Sequence, residues 1–309
     1  MTEIIIAIVQ CLLLVLLAPL VSGTARWMRA KMHTRRGPSI LQDYYDIAKL
    51  LKRQDVRTAD SSFVHRFMPP LFFGSMLVLA CGVPMIARLC PLPFLGDVIT
   101  IVYLMALPRF FFALSGVDSS SAYAGVGGIR ELLVGVLVEP SMMLALFVAA
   151  LATGTTNIGE MGVVIGSLSA GSPVAVIVAG VAFALACYIE LGKLPYDMAE
   201  AEQELQEGPL QEYSGASLAM VKLSLSMKQI IVASLFIAVF LPFGSPVELT
   251  PVGLLIGLVL YLVKLGVIMF ICSVVENLVA RVRYKLMGRQ TWTVVGVAVL
   301  AFVFCVLGV

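Results

Sequence analysis

The chain has 309 residues, 60% of them hydrophobic and 13% charged, with a formal net charge of +2. A water-soluble domain carries about 25% charged residues, so this composition, with a mean hydropathy of +1.00, excludes a soluble globule and leaves a membrane protein. Its basic residues sit in loops with little aromatic interleaving, which excludes a nucleic-acid surface.

Apolar runs predict eight transmembrane helices near 4–21, 69–89, 96–116, 132–152, 173–191, 229–247, 252–275 and 291–309, since about 20 apolar residues cross a bilayer core about 30 Å thick. The runs are continuous rather than alternating, which argues against membrane strands. The expected fold is therefore all-α, a polytopic domain over 1–309 with amphipathic cytoplasmic loops at about 22–66 and 190–228. The first run has no basic residue before it and no small-residue cleavage site after it, so it is expected to stay as a span.

The loop after the first run reads WMRAKMHTRRGPSILQDYYDIAKLLKRQDVR and holds ten of the 21 basic residues within 22–66, against four acids. From Ile40 to Leu51 the apolar positions recur at helical spacing, which predicts an amphipathic helix at the interface. A topology signal that touches lipid headgroups and a docking surface for another protein both fit this loop. Further along, Arg109 falls deep in the third run, and Arg130 precedes the fourth. Glu139, nine residues beyond Arg130, falls about 13 Å along the fourth helix, with Pro140 after it. An ionisable group at such depth costs at least about 2.5–3.5 kcal/mol and faces a partner or water. A structural ion pair and a proton route are the two readings.

After the fifth run comes IELGKLPYDMAEAEQELQEGPLQEYSG. It holds Glu190, Asp197, Glu200, Glu202, Glu204, Glu207 and Glu212 against Lys193 alone. Glu200, Glu204 and Glu207 would share one helical face, and crowded carboxylates can exchange protons. A solvated acidic face that balances the basic loop is the plainer reading. Lys222 and Lys228 follow in the same connection, Lys264 is deep in the seventh run and Glu276 closes it. Arg281, Arg283, Lys285 and Arg289 precede the last run. With both termini outside, the basic segments share one side, which the positive-inside rule makes cytoplasmic. Six scattered cysteines without CxxC spacing and two isolated loop histidines, His33 and His65, predict no metal or haem in this chain.

RRGP followed by LQDYYDIAKLLKR, then GIRELLVGVLVEP, then the acidic loop resemble, in that order, the complex I membrane subunit that borders the quinone site. The branch they resemble most is its homologue in formate hydrogenlyase and hydrogenase-4 complexes, the group 4 membrane-bound [NiFe] hydrogenases. Arg35, Gly37 and Pro38 match that family's R-x-GP turn, beside Arg36, and Asp46 and Lys49 its amphipathic helix. Together they are the docking candidates. Arg130 and Glu139 resemble its Arg and buried Glu. Glu190, Pro195, Asp197, Glu200, Glu202, Glu204, Glu212 and Tyr213 match its acidic loop. The proton-transfer candidates are Glu139, Glu190, Glu200, Glu202, Glu204, Glu207, Glu212, Arg130, Lys193, Asp197, Lys228 and Lys264.

Lys193 stands where quinone-linked members have Arg, and 214–228 holds Lys222 and Lys228 but not the acid of those members. The missing acid speaks against a quinone-coupled proton pathway and favours the hydrogenase branch. The resemblance implies a non-catalytic anchoring and coupling subunit of a hydrogen-evolving complex in the bacterial inner membrane, without a cofactor of its own. Its implied partners are the hydrogenase large and small subunits with the [NiFe] centre and iron–sulfur clusters, iron–sulfur subunits, antiporter-like membrane subunits and formate dehydrogenase. A quinone-site subunit of a complex I-type NADH dehydrogenase is the alternative. A free-standing transporter is a third, weakened by the lack of an internal repeat.

Overall fold

A computed structural model describes residues 2–58, 61–199, 201–247 and 250–308, the side chains of 2, 202, 203 and 285 excepted. Among the described residues eight helices are long and apolar enough to cross a membrane: α1 (Thr2–Met32), α3 (Phe63–Gly82), α4 (Val98–Asp118), α5 (Ala122–Thr153), α7 (Pro173–Glu190), α9 (Gly215–Phe240), α10 (Pro251–Leu278) and α11 (Tyr284–Leu307). The shorter α-helices among the described residues are α2 (Gln42–Leu51), α6 (Ile158–Gly166) and α8 (Glu202–Leu205), with 3-10 turns at Pro93–Leu95 and Gly208–Glu212. Among the described residues there is no strand, only an isolated bridge between Asp97 and Asn157. The protein is all-helical and multi-pass.

Local chemistry sets the helix ends. Asp97 caps α4 by accepting from the Ile99 N–H, and Asn157 caps α6 by accepting from Gly159 and Glu160. Thr250 accepts from Gly253 ahead of Pro251, the first residue of α10. Gly154, with φ +75°, closes α5 in the left-handed region that favours glycine.

Helices α4, α5, α7 and α11 pack side by side, and α9 packs against α1, α2, α3, α6 and α7. About 61% of the apolar stretch of α9 is buried against 22% for α10 and α11, so α9 is the axis of the bundle and α10 a peripheral stave.

Several predicted limits need correction. Helix α9 begins at Gly215, so Lys222 and Lys228 lie in a helix and not in a loop ending at 228. Arg130 likewise lies inside α5 rather than before it. Both errors have one cause: apolar windows stop at a charge, whereas a paired charge can continue into the bundle. His65 sits in α3, buried and stacked on Tyr213 at 4.1 Å, not in a loop. The shared helical face for Glu200, Glu204 and Glu207 is not formed either. Helix α8 stops at Leu205, and Gln206, Glu207 and Gly208 have φ of 50°, 72° and 54° before Pro209, a run no α-helix follows. Glu200 and the Glu202 side chain lie outside the described residues. The amphipathic helix expected over Ile40–Leu51 is present as α2.

Candidate functional site: a buried charge cluster

Arg109, on α4, is the centre of the site. Its guanidinium is paired with Glu139 on α5 and with Glu190, the last residue of α7, and lies 3.8 Å from Glu131 on α5. Lys228 of α9 stands 3.0 Å from Glu190 and 3.2 Å from Glu131. Four helices thus deliver two bases and three acids to one point, a formal charge of −1 if all are ionised. The Arg109 side chain is 4% exposed and that of Glu190 1%. Arg109 is nine residues from the end of α4, about 14 Å at 1.5 Å per residue, so the cluster is well inside the bundle.

Backbone choices make room for it. A Cβ on Gly135 would overlap the Arg109 guanidinium, so glycine at this point of α5 lets the side chain cross between helices. Helix α7, with 18 residues, ends at the cluster. The chain beyond it, Leu191, Gly192 and Tyr196 to Ala199, lines a cavity of about 80 Å³ with Arg109, Glu131, Glu190 and Lys228. Burial pushes the Tyr196 phenol up from its ordinary pKa, so it stays neutral to a higher pH than a free tyrosine.

Two more cavities continue from the first. One of about 240 Å³ is lined by Arg26, Arg29, Lys193, Glu276 and Arg281, and one of about 300 Å³ by Asp43, Asp46, Glu207 and Lys222. Gln229, one residue after Lys228, lines all three. Ion pairs frame this path: Arg26 with Asp43, Arg29 with Glu276 at 3.4 Å, Lys193 with Glu276 at 3.9 Å, and Arg281 with Asp197 at 2.7 Å. The two long connections meet at the same end of the bundle. Val56 donates its N–H to the Ser214 hydroxyl at 2.7 Å, and the Ser217 hydroxyl donates to Asp55 at 2.8 Å.

Glu139, Glu190 and Lys228 of the proton-transfer candidates converge. Arg130 does not join them: it pairs with Glu204 at 2.7 Å and lies over the Tyr284 ring. Lys193 and Asp197 line the adjoining cavities, Glu207 is exposed and Glu212 half-buried. Lys264 sits at the other end of α9, donating to the Leu241 and Phe243 carbonyls at 2.7 and 2.5 Å. Of the docking candidates, Arg35, Arg36, Pro38 and Lys49 are exposed, Gly37 and Asp46 partly so. The sequence reading missed Glu131 and Gln229. Glu131 had a signal, an acid beside Arg130 at the edge of the apolar fourth run, whereas Gln229 had none. Among the described residues no group of three or more His, Cys, Asp or Glu is placed to hold a metal ion.

Residues 4–307 match the family described as NADH dehydrogenase. The chain belongs to that family. Over 307 residues it is 50% identical to Hydrogenase-4 component C of Escherichia coli (strain K12), covering 99% of this chain and 96% of that one. It is 46% identical over 296 residues to Formate hydrogenlyase subunit 4 of the same organism, covering 96% of each. To an NADH-quinone oxidoreductase subunit of Wolbachia pipientis wMel the identity is 26% over 309 residues, covering 91% and 90%. A chain of the membrane-bound sulfane sulfur reductase, an archaeal respiratory membrane complex, shares the fold with a TM-score of 0.87 at 20% identity, covering 99% of this chain and all of that one.

Proposed function

We propose that this protein is the membrane anchor and coupling subunit of a hydrogen-evolving complex of the hydrogenase-4 or formate hydrogenlyase type. The observation that carries this is the identity of 50% and 46% to the two hydrogenase-type relatives, against 26% to a quinone-linked one. In this reading the single membrane domain is non-catalytic. The [NiFe] centre and iron–sulfur clusters belong to hydrogenase large and small subunits and iron–sulfur subunits, with antiporter-like subunits beside it in the membrane and formate dehydrogenase as electron source. Both termini face the periplasm and the two long connections the cytoplasm.

The exposed Arg35, Arg36 and Lys49 supply the docking surface for the soluble arm, with the acidic connection beside it. The buried cluster supplies the coupling. Glu139 and Glu190 share one guanidinium, and Lys228 meets the same Glu190 oxygen that this guanidinium holds. A change of charge at one carboxylate therefore redistributes the pairing of the others, and burial with like-charged neighbours lets such groups take both protonation states. The cavities that meet at Gln229 lead from this cluster towards the docking face.

Purification of the intact assembly in mild detergent tests the function: co-purifying nickel and iron–sulfur clusters support it. Bound quinone without nickel would replace it with the quinone-site reading, and a lone active chain with a transporter. Reversal of Arg35 and Arg36 to Glu is expected to release the soluble arm while the subunit still inserts. An arm that stays attached to that variant at raised salt removes the docking role from these two residues.

A further inference from the structure

The six cysteines look unrelated in sequence, yet the fold sets two of them side by side. Cys11 of α1 and Cys81 of α3 are 70 positions apart, and their Sγ atoms are 3.4 Å apart. Cys81 is the next-to-last residue of α3, so the pair lies at the end of the bundle opposite the long connections. A second contact fixes the two helices at this level: Gln10, beside Cys11, donates from its buried amide to the carbonyls of Ala80 at 2.8 Å and of Val83. Both cysteines are only partly buried, so a small lipid-soluble reagent can reach them. The other four free cysteines have no sulfur contact of this kind among the described residues.

We propose that Cys11 and Cys81 form a dithiol that a membrane-permeant two-electron acceptor, of the quinone or azo class, closes to an intramolecular disulfide. Two S–H bonds break and one S–S bond forms. The two electrons and two protons pass to the acceptor, giving a quinol or a hydrazine. A disulfide needs its sulfurs at about 2.05 Å, so from 3.4 Å the two sulfurs have about 1.4 Å still to close. The product is a covalent ring from α1 through α2 to α3. It ties down the far end of the helix whose near end presents Arg26 and Arg29 to the cavities. The redox state of the pair thus sets how freely α1 moves against the bundle, whether or not the proposed coupling role is right. Formation depends on thiol access and on the acceptor.

The test uses native membranes that hold the whole assembly. They are treated with diamide, and in parallel with copper–phenanthroline. Free thiols are then blocked with one maleimide, disulfides reduced, and the released thiols tagged with a heavier maleimide for peptide mass spectrometry. The expected result is near-complete transfer of Cys11 and Cys81 together to the heavy tag, with a linked peptide two hydrogen masses lighter before reduction. In C11S membranes Cys81 should stay with the first maleimide, and in C81S membranes Cys11 should do the same. The thermal midpoint of the oxidised wild type should rise, fall back on reduction, and not respond in C11S. Light tag on both cysteines after both oxidants overturns the proposal, as does equal protection of Cys81 in C11S or a link to any other cysteine.

Discussion

Two Arg–Glu contacts of this protein share the same chemistry and differ in surroundings. Arg109, 4% exposed, touches three carboxylates, while Arg130, 19% exposed, meets Glu204, which is 54% exposed. The first pairing was formed by removing charges from water, so each member is held by the others. The second keeps its water, and its partners lose little by parting. The difference teaches that the worth of an ion pair here is set by the missing solvent and not by its distance.

Neutralising the inner base breaks that comparison most severely. Arg109→Gln leaves Glu139 and Glu190 without their main partner, and a stranded buried charge costs about 3–5 kcal/mol. Thermal unfolding in detergent should show a large loss, with part of it recovered in the double variant with Glu190→Gln. A single variant as stable as the wild type would show that the cluster is wet. A smaller effect is expected from Glu139→Gln, whose side chain is 29% exposed. It should leave assembly and hydrogen evolution from artificial donors intact while coupled turnover falls by about a hundredfold or more, the scale of a lost proton-transfer group. Proton movement into vesicles reads this directly. Fully normal coupled turnover removes Glu139 from the mechanism, and failed assembly makes it a structural partner of Arg109 only. Smallest is Arg130→Gln, expected to change stability by less than about 1 kcal/mol. A large drop in its melting temperature would erase the distinction between the two sites.

Much of the fold was legible because the bilayer imposes one length on every span, and all eight apolar runs correspond to helices. The period of α2 was legible for the same kind of reason, one face being wetted. What could not be read was which charges continue into the bundle. Lys222, Lys228 and Arg130 look like loop residues until their helices are seen. Glu139 and Glu190 stood out as costly residues, and they do meet. The group that joins them is Arg109, on a helix with no sequence neighbour among them. Cys11 and Cys81 were hidden likewise, since their nearness belongs to tertiary packing alone.

Lys264 has a consequence for biosynthesis. Its ammonium ties α10 to the carbonyl end of α9, across a connection of ten residues, 241–250. Entering lipid alone, α10 would carry a bare cation to mid-bilayer, and α9 would expose unsatisfied carbonyls. Each helix holds what the other lacks. A hairpin of α9 and α10 is therefore the smallest piece of this bundle in which the ammonium and those carbonyls are both satisfied.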